Sequence, residues 1–211
     1  VKPEARSFAK VLADLGKVLT NFRFISFLML FSGFYVMFWQ IFYSFPFYVD
    51  EILKYKHFEI LESVDAWTLM IFSVLMTAAT KKLGAMPCMM LGFTIASLSW
   101  LVLAAWPTIA GSIAAIALFA VGESIAAPRL YDYVGSLAPK DQVATYMGFS
   151  FLPVAVGSFI AGPLGGKLVT LYLRETVNPS MIWLIITAIG LVTTALMYIH
   201  YKVLGESKKG D

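Results

Sequence analysis

At 211 residues, with 59% hydrophobic side chains and a mean hydropathy of +0.78, the chain carries charge at only 14% of its positions. An ordinary soluble domain carries about 25%, so a cytosolic enzyme of normal composition and a disordered chain are both excluded. One cysteine excludes a disulfide framework and a thiolate metal cluster, and a scattered net charge of +3 excludes a nucleic-acid surface.

Taken in order, the first 20 residues stand apart from the rest. Phe8, Val11, Leu12, Leu15, Val18 and Leu19 recur at helical spacing, while Arg6, Lys10, Asp14 and Lys17 take the opposite face. Two readings stand: a basic amphipathic helix on the inner leaflet, or a plain linker helix. The segment has no short apolar core with a small-residue cleavage site, so no signal peptide is expected. The chain opens at Val1, and a fragment of a longer protein is expected.

Six stretches then reach the roughly 20 apolar residues that a bilayer-spanning helix needs: 24–49, 60–80, 85–106, 108–133, 143–173 and 179–201. Continuous apolar runs of this length argue against a β-barrel. The expected fold is all-α: residues 1–21 a cytoplasmic linker, 22–204 a six-helix transmembrane bundle, and 205–211 a cytoplasmic tail. Six crossings put both ends on one side. Lys2, Arg6, Lys10, Lys17, Arg23, Lys81, Lys82, Lys140, Lys202, Lys208 and Lys209 fall on that side, against Lys54, Lys56, Lys167 and Arg174 on the other. The positive-inside rule makes the first side cytoplasmic. Trp106, Trp183 and Tyr172 are expected as aromatic anchors at the outer interface.

The informative residues are ionisable groups inside the spans. Each costs about 2.5–3.5 kcal/mol on insertion scales and usually faces a cavity. Glu123 lies 15 residues into the fourth span, about 22 Å at 1.5 Å per residue, past the expected midplane. Its helical neighbours Phe119, Ala120, Ala126 and Ala127 are mostly small. It can carry a proton, bind an ammonium group, or hydrogen-bond a neighbouring helix. Asp65, near the start of the second span and one turn after Glu62, reads either as a helix-start charge or as a cavity residue. Arg129 and Asp132 have i, i+3 spacing and are expected to pair as a packing or gating element at the inner mouth. Lys167 is expected to snorkel to the interface.

The fifth span carries Gly148, Pro153, Gly157, Gly162, Pro163, Gly165 and Gly166. Gly157/Ala161 and Gly162/Gly166 are small-xxx-small pairs, and Pro153 and Pro163 permit bends. Close static packing and a helix that bends during transport are both open readings. In the first span Trp39, Gln40, Tyr43 and Ser44 place polar groups in an aromatic stretch, either lining a pore or bonding an adjacent helix. His57 and His200 make no metal spacing, and no Ser/His/Asp set lies at membrane depth, so neither a cofactor nor an enzyme activity is expected.

The run GESIAAPRLYDYVGSLAPKDQVATYMG from Gly122 resembles the tenth helix, following loop and start of the eleventh helix of proton-dependent oligopeptide transporters in the major facilitator superfamily. Glu123, Pro128, Leu137-Ala138-Pro139 and Met147-Gly148 match at the family's spacing, and FSFLPVAVGSFIAG continues like its eleventh helix. Phe38-Trp39 resembles a Phe-Trp of the seventh helix, and Glu62-Ser63-Val64-Asp65 a Gln-Ser-Leu-Asn at the start of the eighth.

The resemblance implies the C-terminal six-helix half of a proton-coupled symporter of small peptides or related solutes, working by alternating access. Its partners would be the solute, protons, lipid and an absent N-terminal half. By the same resemblance Glu123 would meet a peptide's amino end and Asp65 falls where the family has an Asn facing the cavity. In the transporter reading of the residues themselves, Trp39, Gln40 and Asp65 would line the cavity, and Arg129, Asp132, Pro153 and Gly157 would serve gating. Tyr43 and Ser44 replace the family's Glu-Gln, Ala66 its Pro and Leu130 its Gly. Asp65 replaces its Asn, which would favour a cationic substrate or supply a second proton site. The alternatives are a transporter of a non-peptide solute and a non-transporting receptor or scaffold on the same fold.

Overall fold

The computed structural model describes residues 15–205. Most of the proposed amphipathic segment, and the tail from 206, lie outside the described residues; 15–20 are helical. Six helices are long and apolar enough to cross a membrane: α1 (Phe22–Glu51), α2 (Phe58–Ala79), α3 (Ala85–Ala105), α4 (Ile109–Leu137), α5 (Val143–Glu175) and α6 (Ser180–Leu204). They match the six expected spans, with α4 running four residues beyond its expected end.

Local chemistry sets the ends and breaks. Asn21 Oδ1 accepts from the Phe24 N–H at 3.1 Å, capping α1. Thr108 Oγ1 caps α4 by accepting from the Gly111 N–H at 3.0 Å. Along α1, regular helix lapses at Trp39 and Ser44. At the first lapse the Gln40 side-chain amide donates to the Val36 carbonyl at 3.3 Å. Just past the second, Pro46 lacks the N–H that would reach back one turn. Similarly α5 is interrupted at Ser150–Phe151, two residues before Pro153. Helix continues through Pro163 and, in α4, through Pro128, so neither proline breaks its span. Residues Thr170–Glu175 at the end of α5 are π-helical, as are Tyr201–Gly205, which run from the last turn of α6 one residue beyond it.

Phe24, Phe27, Leu28, Phe31 and Phe34 give α1 a buried face at helical spacing. Phe34 stacks on Phe93 of α3 and Phe119 of α4, with centroids 4.9 and 5.7 Å away. Trp183 of α6 is wholly buried and stacks on Trp100 of α3 at 5.1 Å with planes 5° apart. It is therefore a core residue and not the interface anchor expected from sequence. Trp106, half-exposed at the end of α3, keeps a position suited to that role.

Helices α1, α3, α4 and α6 hold the core, whereas α2 and α5 are peripheral and largely exposed. Helix α2 packs mainly on α4, and α5 mainly on α1. The α1–α5 seam is close. A Cβ on Gly157 would collide with Tyr35 and come within 3.0 Å of the Ser32 carbonyl. Gln40 Nε2 donates to the Ala161 carbonyl at 3.1 Å, the Ser44 hydroxyl donates to Gln40 Oε1 at 2.5 Å, and the Tyr43 and Ser158 hydroxyls are 2.9 Å apart. At the far end Arg174 grips Glu51, with Nη2 2.7 Å from Oε1, and lies over Phe47.

Of the two small-residue pairs expected in α5, Gly157/Ala161 serves this seam. Gly162 and Gly166 do not: a Cβ there would meet nothing closer than 3.9 Å. Replacing Gln40 by Ala removes its bond across the seam to Ala161 and its bond with Ser44 within α1, and opens a void. The expected cost is about 2–3 kcal/mol, read as a lower melting temperature of the purified parent protein; an unchanged temperature would contradict it.

Candidate functional site

Glu123 is positioned by the glycine that precedes it. Gly122 lies directly against α3, where a Cβ would stand 2.5 Å from the Gly92 carbonyl and 2.7 Å from the Ala96 nitrogen. The contact is reciprocal, because a Cβ on Gly92 would collide with the Gly122 carbonyl. With α4 pinned to α3 on that face, the side chain of the next residue is turned away. Glu123 sits 14 residues from each end of the 29-residue α4, at the middle of that helix.

There it comes within Coulombic reach of Asp65 on α2 and Tyr35 on α1, and Tyr35 in turn of Tyr131, two turns further along α4. Glu123 Oε2 and Asp65 Oδ1 are both shut off from the surface and have no hydrogen-bond partner among the described residues. Buried carboxylate oxygens are ordinarily paired, so two unpaired ones on facing helices call for a cationic or protonic partner. Asp65 lies seven residues into α2. The helix-start charge is Glu59, and the end-charge reading of Asp65 falls away.

The remaining expected residues fall into separate places. Trp39 is half-buried one turn along α1 from Tyr35. It stacks on Tyr43 at 5.7 Å, and its indole N–H is buried with no partner among the described residues. Gln40 points the other way, into the α1–α5 seam. Arg129 and Asp132 form the expected pair, with Nη1 3.0 Å from Oδ2, about 9 Å along α4 from Glu123. Pro153 opens the main segment of α5 just after its break, while Gly157 is buried in the seam. Lys167 is exposed near the far end of α5.

Tyr35 and Tyr131 are the site residues that sequence reading missed. The available signal for Tyr35 is its i, i+4 relation to Trp39, which puts both on one face of α1.

No protein-family model matches the chain. Curated relatives do. Multidrug resistance protein MdtH of Edwardsiella ictaluri is 26% identical over 199 residues, covering 92% of this chain and 49% of the relative. Its counterpart from Klebsiella pneumoniae strain 342 is 27% identical over 183 residues, covering 85% and 45%. That of Sodalis glossinidius is 25% identical over 198 residues, covering 92% and 48%. The chain spans about half the length of the curated relatives it matches.

The chain is an all-α bundle of six helices of membrane length, similar over most of its own length to about half of these longer relatives. In this bundle Glu123 sits midway along α4, on the side of the core where α2 packs.

Proposed function

We propose that the parent protein is a secondary active transporter working by alternating access, with this half-bundle as one of its two rocking units. The single observation that carries the reading is that Glu123, at the middle of α4, and Asp65, seven residues into the neighbouring α2, each have a buried oxygen without a partner among the described residues. A solute ammonium group or protons would satisfy those oxygens, and their exchange is the coupling step of the proposal. Trp39 and Tyr35 would line the solute's path. Solute sites in such folds form near mid-membrane between the two repeats, so this chain supplies one wall only.

Two solute classes fit. The motif around Glu123 resembles proton-coupled oligopeptide symporters, and a peptide's amino terminus would meet Glu123. The matched relatives are named for multidrug resistance, which supports a solute class broader than peptides. Asp65, acidic where the oligopeptide pattern has Asn, favours a cation within that class. In this reading the Arg129–Asp132 pair and the α5 break before Pro153 serve gating, and Gly157 keeps α5 fast against α1 through the cycle. The protein would sit in the cell membrane with both termini cytoplasmic, as its Lys/Arg balance indicates.

A second reading, a non-transporting receptor or scaffold, draws support from Tyr43 and Ser44. The family's Glu-Gln would fall there, and both side chains are committed to the α1–α5 seam. The deciding experiment reconstitutes the full parent protein in proteoliposomes. It follows labelled dipeptides and tetraphenylphosphonium with and without a proton gradient. Gradient-dependent movement of either supports the transporter. Movement of neither, by protein shown to be folded, would contradict it and favour the second reading.

A further inference from the structure

Among the described residues eight buried side-chain polar atoms lack a hydrogen-bond partner, and four of them stand in one place. They are the indole N–H groups of Trp100 on α3 and Trp183 on α6, the Tyr48 hydroxyl on α1 and the Thr187 hydroxyl on α6. All four residues are buried, Trp100 and Trp183 completely. Ring contacts join three of them, with Trp183 5.1 Å from Trp100 and 5.0 Å from Tyr48, centroid to centroid. Thr187 follows Trp183 by one turn on the same face of α6. Two contacts fix α3 and α6 antiparallel here. The Ser180 hydroxyl donates to the Ala104 carbonyl at 2.9 Å, and a Cβ on Gly190 would collide with Ser97. Trp100 and Thr187 therefore fall at one level between those contacts.

Tyr48 lies one turn before the end of α1, and Trp183 lies in the first turn of α6. The cluster is thus at the opposite end of the bundle from residues 15 and 205, where the described chain starts and stops. The ordinary partners within the fold are not used. The Trp100 and Trp183 rings are parallel to within 5°, so each N–H lies along its own ring plane and does not point into the other's face. Thr193 and Thr194 give their hydroxyls to carbonyls one turn back, at 2.8 and 2.9 Å. Thr187 makes no such bond, so its hydroxyl is not spent on its own helix. Buried indole, phenol and alcohol groups ordinarily have partners, and four orphans side by side call for a shared one.

We propose that this part of the core is a binding site for buried water, held by the Trp100 and Trp183 indoles, Tyr48 and Thr187. Valence distinguishes water from an ion. The two indoles only donate, whereas the two hydroxyls also accept. A water takes both N–H groups and donates to both hydroxyl oxygens, within the two to four bonds that buried waters make. None of the four side chains carries a cationic group, so a halide would be a buried charge held by neutral groups alone, at a far higher cost. The water ties α1, α3 and α6 together by hydrogen bonds at that level. The site is separate from Glu123 and Asp65 and does not depend on the transporter reading.

The test uses the purified full parent protein and ultraviolet resonance Raman spectroscopy, in which an indole band reports whether the N–H is hydrogen-bonded. The difference between wild type and W183F isolates Trp183. Its band should be that of a bonded N–H, and a band at the free position overturns the proposal. T187V keeps both rings and removes one hydroxyl that the water bonds. It should shift the indole bands toward the free position; unchanged bands would overturn the bridge. If W183F does not fold, the T187V difference carries the test, because it alters no ring. Replacing chloride by bromide or gluconate should leave the bands in place, and a halide-dependent shift would assign an ion and overturn water. A map of the parent protein fine enough to show ordered water should hold density between the two indoles, Tyr48 and Thr187. A protein group in that position, or none, would overturn the site.

Discussion

Replacing Gly122 by valine is expected to destabilise the bundle by about 3 kcal/mol or more, the upper range for overpacking. A Cβ at this position stands 2.5 Å from the Gly92 carbonyl and 2.7 Å from the Ala96 nitrogen, which are backbone atoms that no rotamer change can move aside. Helices α3 and α4 would have to separate, and the most extensive helix contact in the chain would be lost along its length. Even alanine should be costly there. The control is Gly148→Ala, where a Cβ meets nothing within 4 Å and helix propensity favours the change by about 0.5–1 kcal/mol. Melting temperatures of the purified parent protein should fall sharply for the first and hold or rise for the second. Equal behaviour would mean that the crossing is not close-packed.

Glu123→Gln should reduce gradient-driven transport about 100-fold or more while leaving the fold intact. The amide keeps the volume and much of the hydrogen-bonding capacity of the carboxyl but cannot carry the exchanged charge. Truncating one member of a desolvated charge pair typically costs about 2–5 kcal/mol, and about 2.7 kcal/mol is already a hundredfold. Stability should not fall, because a neutral amide costs less to keep buried without a partner than a carboxylate does. Full proton-driven activity in this variant, with normal expression, would remove Glu123 from the mechanism.

The sequence displayed the fold more fully than the site. Apolar runs of membrane length separated by charge clusters give the six helices directly, and the glycines and prolines of α5 announce an irregular helix. Their individual roles were not legible. Gly157 and Gly162 stand in the same motif, yet only Gly157 meets a neighbour, because which face of α5 touches α1 depends on the whole bundle. Trp183 looked like an interface anchor by position, and only its stacking on Trp100 shows it to be core.

Glu123 was conspicuous because a carboxyl inside an apolar run has few bland explanations. Its partners were not, since nothing in one helix says which residues of α1 and α2 will face it. Gln40 and Ser44 carried both possible readings, and the seam bonds to Ala161 and within α1 select helix bonding. Arg129 and Asp132 were readable because their interaction is local to one helix, and local spacing is what a sequence states best.

The central claim is that Glu123 and Asp65 act on one solute cation, and a double-mutant cycle tests it most directly. Tetraphenylphosphonium affinity of the full parent protein would be measured for wild type, Glu123→Gln, Asp65→Asn and the pair together. If the carboxyls share the cation, each single variant loses much of the affinity and the double variant loses clearly less than the sum. Strictly additive losses, or an Asp65→Asn variant that binds as wild type does, would contradict the shared site.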